Sequence, residues 1–322
     1  MTTKSDLELL REAINNCKRV AVVSHRSPDG DNLGSLLAMG LSLEKMGKDV
    51  VYVKADIIPD DYLFLPGIER LETRNDSIDE FDVLMVLDSS DEDRLGENQF
   101  LLKKSKLIVN IDHHVSNTKF GDINIVLPDL SSTGEILFNI LGELEMPIDS
   151  EIASLIYVAI STDTGRFTYQ GVTGMTHETV AKLYDYGIDS YSINTNLYQR
   201  RSLARTKLFI KAISQMEFYN NNEIGIVKIS KKMIDETKTS MDDTEGIVEF
   251  IRDTESVEAA CLLKEVDNSI VKISLRTKNK VDANKVCSAF NGGGHNRASG
   301  ATVEDSLDNV EKRLITEINK YL

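Results

Sequence analysis

Cysteine is scarce in this chain and widely scattered: Cys17, Cys261 and Cys287 are all it has. Three thiols so far apart exclude a disulfide framework and a cysteine-rich zinc site. No apolar run approaches the roughly 20 residues that a membrane helix requires, and the first residues lack a basic stretch followed by an apolar core. A cytoplasmic protein without membrane association is the resulting expectation. Positive charge is also in short supply, the formal net charge being −15. That balance argues against broad electrostatic binding of long nucleic acid, and leaves room for a short phosphorylated ligand held by a metal or by a few Arg and His. Internal repeats and low-complexity tracts are absent. What remains is an ordinary composition over 322 residues, enough for two domains and a substantial core.

The most informative stretch is Val20-Ala21-Val22-Val23-Ser24-His25-Arg26-Ser27-Pro28-Asp29-Gly30-Asp31. Its small and β-branched start reads as a strand buried on both faces of a parallel sheet. Pro28 and Gly30 stop the strand, and the leucines from Leu33 onward repeat at helical spacing. His25, Asp29 and Asp31 therefore fall at the carboxyl end of a strand, where open α/β sheets place their ligands. One imidazole and two carboxylates so close together repel and desolvate one another unless a cation lies among them. The plainer alternative, a polar turn with a helix N-cap, needs only one of the two acids.

The pattern recurs downstream. An amphipathic helix over 5–17 precedes the first strand, a second strand is expected over 48–55, and 56–71 reads as a loop. The apolar run 81–88 ends in Asp88, and the run 106–112 ends in Asp112-His113-His114. After a helix-start signal at Ser131–Glu135, a strongly apolar helix over 149–160 terminates in Ser161-Thr162-Asp163-Thr164-Gly165-Arg166-Phe167. Strands alternating with helices predict a mostly parallel sheet flanked by helices, with the strand-end acids sharing one site at its edge. Residues 176–218 read as mostly helical, and the basic cluster Arg200, Arg201, Arg205, Lys207 and Lys211 within them as a solvated face. Beyond the turn at Asn220–Asn222 the period changes. Strands over Ile224–Ile229, 259–265 and 270–276, and helices near 243–252, 282–290 and 304–321, predict a smaller α+β unit. Between its last two helices lies Asn291-Gly292-Gly293-Gly294-His295-Asn296-Arg297-Ala298-Ser299-Gly300. The expected division is a first domain over 1–190, a helical linker over 191–222 and a smaller second domain over 223–322.

Collected together, His25, Asp29, Asp31, Asp88, His113 and Asp163 form a sulfur-free nitrogen and oxygen donor set. It suits Mn²⁺ or Mg²⁺, and six ligands fit two ions bridged by a carboxylate better than one ion that must also bind water and substrate. Each acid alone could be a cap; six in concert argue for chemistry on a phosphoryl group. Neighbouring side chains in an extended segment point opposite ways, so of His113 and His114 one suits a metal and the other the substrate, with Asp112 orienting an imidazole. Three glycines let backbone N–H groups approach a phosphate, to which His295 or Arg297 adds charge, and Arg276 makes a second clamp.

The series HRSPDGD, VLDSSD, IDHH and STDTGRF, in that order, resembles the DHH phosphoesterase superfamily, and GGGHNRASGA resembles the glycine-rich motif of the DHH-associated C-terminal domain of its nuclease branch. These motifs run from His25 to Ala301. The resemblance implies that His25 and Asp29 bind one metal and that Asp31, His113 and Asp163 bind the other, with Asp88 bridging. It implies that His114 contacts the scissile phosphate or protonates the leaving oxygen, and that Asp112 supports it. The resemblance also implies a catalytic role for the first domain and a substrate-binding role for the second, with the active-site cleft between them; Arg276, Gly293, Gly294, His295 and Arg297 would hold the nucleotide, with a further contact from Arg166. The implied activity is that of NrnA-type enzymes: hydrolysis of short oligoribonucleotides to mononucleotides and dephosphorylation of 3′-phosphoadenosine 5′-phosphate, with two divalent cations, Mn²⁺ ahead of Mg²⁺. Homodimerisation is a further implication. The alternatives are a phosphodiesterase for pApA or cyclic dinucleotides, an inorganic pyrophosphatase, a RecJ-like exonuclease on long substrates and, outside the enzymes, a nucleotide-binding regulator. The full set of six donors disfavours the last, and the C-terminal motif disfavours the pyrophosphatase.

Overall fold

The computed structural model describes residues 4–73, 80–267 and 269–322. The chain divides into two compact units, Met1–Arg200 and Arg201–Leu322. In chain order the first contains α1 (Lys4–Asn16), β1 (Arg19–Ser24), α2 (Gly30–Lys45), β2 (Asp49–Tyr52), β3 (Val83–Leu87), α3 (Phe100–Lys104), β4 (Ile108–Asp112), β5 (Ile123–Val126), α4 (Thr133–Glu143), α5 (Ser150–Asp163), α6 (Gly174–Asp185) and α7 (Ser190–Tyr198). The second contains α8 (Leu203–Ile213), β6 (Glu217–Tyr219), β7 (Ile224–Ile229), α9 (Lys231–Thr237), α10 (Ile247–Arg252), β8 (Ala259–Asp267), β9 (Ile270–Thr277), α11 (Ala283–Ser288), β10 (Gly293–His295), β11 (Ala298–Glu304) and α12 (Leu307–Ile318). None of the described helices is long and apolar enough to cross a membrane.

The first unit is an α/β fold on a five-stranded, all-parallel sheet in the order β2-β1-β3-β4-β5. Alternate residues of its central strands serve opposite cores, as a period of two requires. Val20 and Val22 of β1, with Val83, Met85 and Leu87 of β3, join the core under α2, α4 and α5. Ala21, Val23, Leu84 and Val86 join the core on the other face with Leu95 and Leu101. Burying each such side chain contributes on the order of 1.5–3 kcal/mol. A close helix contact sets α2 on α5: a Cβ on Gly34 would stand 2.5 Å from the backbone oxygen of Leu155. Because the chain departs in opposite directions from β1 and β3, the carboxyl ends of these neighbours form a topological switch point, where open sheets leave a crevice.

The second unit is a six-stranded mixed sheet, β10-β11-β9-β8-β7-β6, in which only β7 and β8 run parallel. α11 and α12 cover one face, with Val310, Leu314 and Ile318 fully buried, and α8, α9 and α10 cover the other. Two expectations change here. The segment 176–218 is broken into three helices, with Asp189 capping α7 and Ser202 capping α8, and it ends in strand β6. The glycine-rich stretch, to which the sequence assigned no strand, is a β-hairpin of β10 on β11 that extends the sheet. In that hairpin Gly294 has φ +146°, and a Cβ there would meet Ala298 O at 2.6 Å, so its missing side chain serves the hairpin itself.

Candidate metal centre

His25 follows β1 directly. Its Nδ1 lies 2.7 Å from the backbone oxygen of Arg26, so that nitrogen donates and Nε2 faces inward, 3.3 Å from Asp88 Oδ2 and 3.9 Å from Asp29 Oδ2. Asp29 is the N-cap of α2 after all, its Oδ1 accepting from the N–H of Asn32 at 3.0 Å. The cap uses one oxygen and leaves the other on the His25 side, so capping leaves Asp29 an oxygen free for a ligand role.

Asp31 does something else. Almost fully buried, it accepts from the first amides of α4, Thr133 N at 2.7 Å and Gly134 N at 2.9 Å, and from Ser35 Oγ at 3.0 Å. The N-terminal end of a helix dipole thus holds this carboxylate, while its Oδ2 remains 3.8 Å from His113 Nε2.

Asp88 directly follows β3 in a left-handed conformation, φ +57°, uncommon for a residue with a Cβ and of the kind that concentrates at functional sites. Its N–H donates to Ile111 O at 2.9 Å, and Thr133 Oγ1 donates to its Oδ1 at 2.9 Å. The same Oδ1 is 3.8 Å from His113 Nε2 and 3.6 Å from His114 Nδ1. Asp163 closes the group from the last turn of α5, with Oδ2 3.3 Å from His113 Nε2.

Three sets of donors result, each with its ligand atoms within 4.8 Å of one another: His25, Asp29 and Asp88; Asp31, His113 and Asp163; and Asp88, His113 and His114. Asp88 belongs to two of them. The electrostatics mark a group that needs a cation. Burial first, then Asp88, Asp163 and Asp29, raise the Asp31 carboxyl well above the usual carboxylate range. Burial, together with Asp88 and Asp29 and against the pull of His113, pushes Asp163 up to about 6. Burial disfavours the His25 imidazolium, but the Asp88 and Asp29 carboxylates outweigh it and raise its pKa. Two imidazole nitrogens and four carboxylates, most with one atom already fixed by the protein, fit hard or borderline divalent cations.

His114 does not point away from its neighbour as an extended segment predicts: the two ring centroids are 4.6 Å apart and both rings face Asp88, but their hydrogen bonds differ. His114 Nδ1 donates to Asp112 Oδ1 at 2.7 Å, and Asn117 Nδ2 donates to Asp112 Oδ2 at 2.6 Å. Burial would lower the His114 pKa, yet the bond to Asp112 and the nearby Asp88 raise it to about 9. Burial would raise Asp112, and the bonds from His114 and Asn117 bring it below the ordinary value instead. Asn117 also donates to Asn110 Oδ1 at 2.8 Å, and Asn110 to Ser89 O at 3.1 Å, which ties the β4 loop to the residue after Asp88. Asn110, Asn117 and Thr133 were not singled out from the sequence. The available signal was a fully polar residue, Asn110, inside an apolar strand.

Arg166 lies outside this cluster, on an exposed left-handed turn with its guanidinium 4.8 Å from the Tyr198 ring centroid. In the second unit, Arg276, Gly293, Gly294, His295 and Arg297 share one end of the sheet, where β9, β10 and β11 meet in register. Gly293, Gly294 and His295 are exposed. Arg276 Nε pairs with Glu249 Oε1 at 3.3 Å. Arg297 donates to Val281 O at 3.0 Å and Asn279 O at 2.8 Å, so its guanidinium fastens the backbone beside the hairpin.

A parallel sheet carrying a His/Asp centre across its β1/β3 switch point, followed by a mixed-sheet unit, defines a class of protein, and comparison with known proteins gives that class its name. Residues 19–160 match the DHH family N-terminal domain and residues 221–322 match the DHHA1 domain. The chain belongs to the DHH family, and its second unit is a DHHA1 domain. It is 27% identical over 305 residues to the bifunctional oligoribonuclease and PAP phosphatase NrnA of Thermus thermophilus, covering 94% of this chain and 90% of the other. The crystal structure of an exopolyphosphatase-related protein from Bacteroides fragilis superposes with a TM-score of 0.95 at 28% identity, covering 100% of this chain and 97% of that one. RecJ of Thermus thermophilus, solved with Mn²⁺, shares the fold at a TM-score of 0.56 and 14% identity, over 99% of this chain and 55% of RecJ.

Proposed function

We propose that the protein is a metal-dependent phosphoesterase that hydrolyses short oligoribonucleotides to mononucleotides and removes a phosphate from 3′-phosphoadenosine 5′-phosphate. The observation that carries this reading is the chain of three donor sets linked through Asp88 and His113. Likeness over almost the full length to an oligoribonuclease and PAP phosphatase supports the substrate class. His25 and Asp29 would hold one divalent cation, Asp31, His113 and Asp163 a second, and Asp88 both, with Mn²⁺ preferred to Mg²⁺. Bound there, the cations would activate a water and neutralise charge developing on the phosphoryl oxygens.

The chain's own residues supply the rest. The Asp112 carboxylate keeps the proton on His114 Nδ1, which leaves Nε2 as the atom that exchanges a proton with the leaving oxygen. Asp31 and Asp88 are held by Thr133 and Gly134, so the carboxylates need little reorganisation when substrate arrives. The exposed Gly293 and His295 would meet the nucleotide. A cytoplasmic setting agrees with three free, buried cysteines.

The test is release of mononucleotide from a 5′-phosphorylated diribonucleotide. Activity should vanish with chelator, return with Mn²⁺, and fall by more than about 10³-fold in Asp88→Ala. Equal turnover by wild type and Asp88→Ala in Mn²⁺ would rule the mechanism out. Activity that climbs as the RNA lengthens beyond several nucleotides would rule out the short-substrate reading.

A further inference from the structure

In so acidic a chain a free arginine is unusual. Among the described residues the guanidinium groups have partners on the protein, from Arg70 on Glu44 to Arg313 on Asp305, or stack on a ring as Arg201 does on Phe209. Arg26 and Arg94 are the exceptions: no hydrogen bond, ion pair or ring contact engages either side chain. These two are also neighbours. The N–H of Arg26 donates to the backbone oxygen of Arg94 at 2.8 Å.

Both are anchored through their backbones. Ser27 follows Arg26 with φ +59°, and its N–H reaches Asp56 Oδ2 at 3.2 Å. The Arg94 N–H donates to the Asp91 side chain at 3.1 Å. The stem of Arg26 passes the bare face of Gly96, where a Cβ would stand 3.9 Å from Arg26 Cδ and 4.0 Å from Arg26 Cβ. Arg26 is bonded to His25, so this pair of loops forms part of the rim of the metal centre. The nearby acids offer it no salt bridge: Asp29 has one oxygen on its cap and the other toward His25, and Asp91 caps its own turn.

Two cations fixed by their backbones, with open guanidinium groups beside a centre that handles phosphate, have one obvious complement. Arg presents a planar fork of donors that matches phosphate oxygens two at a time. The phosphate being cleaved belongs to the metal donors, so the arginines would take a different one. We propose that Arg26 and Arg94 bind a second, non-reacting phosphate of the substrate and thereby select ligands carrying more than one phosphate. This inference rests on the phosphoesterase reading of the same site.

The experiment compares Arg26→Gln and Arg94→Gln with wild type in Mn²⁺ on two substrates. One is pApA, which carries a second phosphate; the other is bis(p-nitrophenyl) phosphate, which has only the reacting one. The expected result is a KM for pApA raised about 10-fold or more in each variant, with kcat within about two-fold. The ratio of kcat/KM for pApA to that for the nitrophenyl ester should fall by about the same factor, and Arg26→Lys should recover part of it. An unchanged pApA KM in both glutamine variants overturns the proposal. So does an equal loss on both substrates, which would place the effect on the metal centre or the fold. Wild type that cleaves neither substrate overturns the phosphoesterase reading itself and is told apart by needing no variant.

Discussion

Replacing Asp112 with Asn keeps the shape of the residue and removes one acceptor. The carboxylate is fully buried and receives two donors, His114 Nδ1 at 2.7 Å and Asn117 Nδ2 at 2.6 Å. An amide has one oxygen, so whichever donor loses its acceptor then faces an NH₂ group. A hydrogen bond to a charged group contributes about 1.5–3 kcal/mol. If that loss is felt in the transition state through a mis-set His114, it corresponds to roughly 10–100-fold in rate at about 1.4 kcal/mol per decade. The leaving group shows where the loss acts. A ribose oxygen leaves only with a proton, whereas p-nitrophenolate leaves without one, so a defect in proton delivery should appear in kcat for pApA and be nearly absent in kcat for bis(p-nitrophenyl) phosphate. Metal titration and thermal unfolding of the same variant establish that the centre and the fold survive. Equal kcat deficits on the two esters would refute a proton-transfer role for His114, and an undiminished kcat on pApA would refute the importance of its bond to Asp112.

Asp88→Asn removes one charge from four crowded carboxylates, so in the presence of chelator this variant should unfold at or above the wild-type temperature. Saturating Mn²⁺ should then raise the wild-type midpoint strongly, since a ligand at 100 times its Kd adds about 2.7 kcal/mol, and raise that of the variant much less; the reverse order in differential scanning would contradict the electrostatic argument. Gly34→Ala sets a Cβ 2.5 Å from the Leu155 carbonyl, a backbone atom on α5 that cannot rotate away. A loss of about 1–3 kcal/mol in urea unfolding is expected, with weaker Mn²⁺ binding because α5 carries Asp163, and a change under roughly 0.5 kcal/mol would show that the helices separate freely.

The candidate donors could be picked out because most of them interrupt or end an apolar run that otherwise excludes them. An acid at the end of VLMVL or LIVNI has no reason to be there except a cap or a ligand, and several such acids at the ends of strands in one parallel sheet must meet. The partners that hold them were not legible. Thr133 and Asn117 are common polar residues, and what distinguishes them is a neighbour: Thr133 reaches Asp88, 45 residues away in sequence. The hairpin of β10 and β11 was hidden for a related reason. Its glycines have little intrinsic preference for a strand, and what makes it one is its register against β9, with Gly300 opposite Ser274 and Ala298 opposite Arg276. The same contacts commit Arg297 to backbone carbonyls, which composition alone could not distinguish from a cation waiting for phosphate. Short elements such as β5 and α9 carry too few residues for a period to declare itself.

Four of the six candidate donor residues, Asp29, Asp31, Asp88 and His25, have a second, structural task, which accounts for how so repulsive a group is held together by the fold. Asp29 caps α2 with one oxygen, Asp31 closes the N-terminus of α4, Asp88 accepts from Thr133, and His25 gives Nδ1 to a backbone carbonyl. In each case the bond that fixes the side chain also satisfies a helix end, a hydroxyl or a buried carbonyl that folding must satisfy anyway. Part of the cost of assembling the site is thereby offset by local structure, and each side chain still has an atom directed at its neighbours. The same economy couples the two properties. Substitution of Asp29 or Asp31 should remove a helix-terminal acceptor together with a proposed ligand, so both stability and metal affinity should fall. Substitution of Asp163, which ends α5 without capping it, should cost only the proposed ligand. The contrast between Asp31→Ala and Asp163→Ala, read in chelator by urea unfolding, therefore separates the structural share of the centre from its chemical share: the first should destabilise by about 1–2 kcal/mol, and the second should leave stability unchanged or raise it.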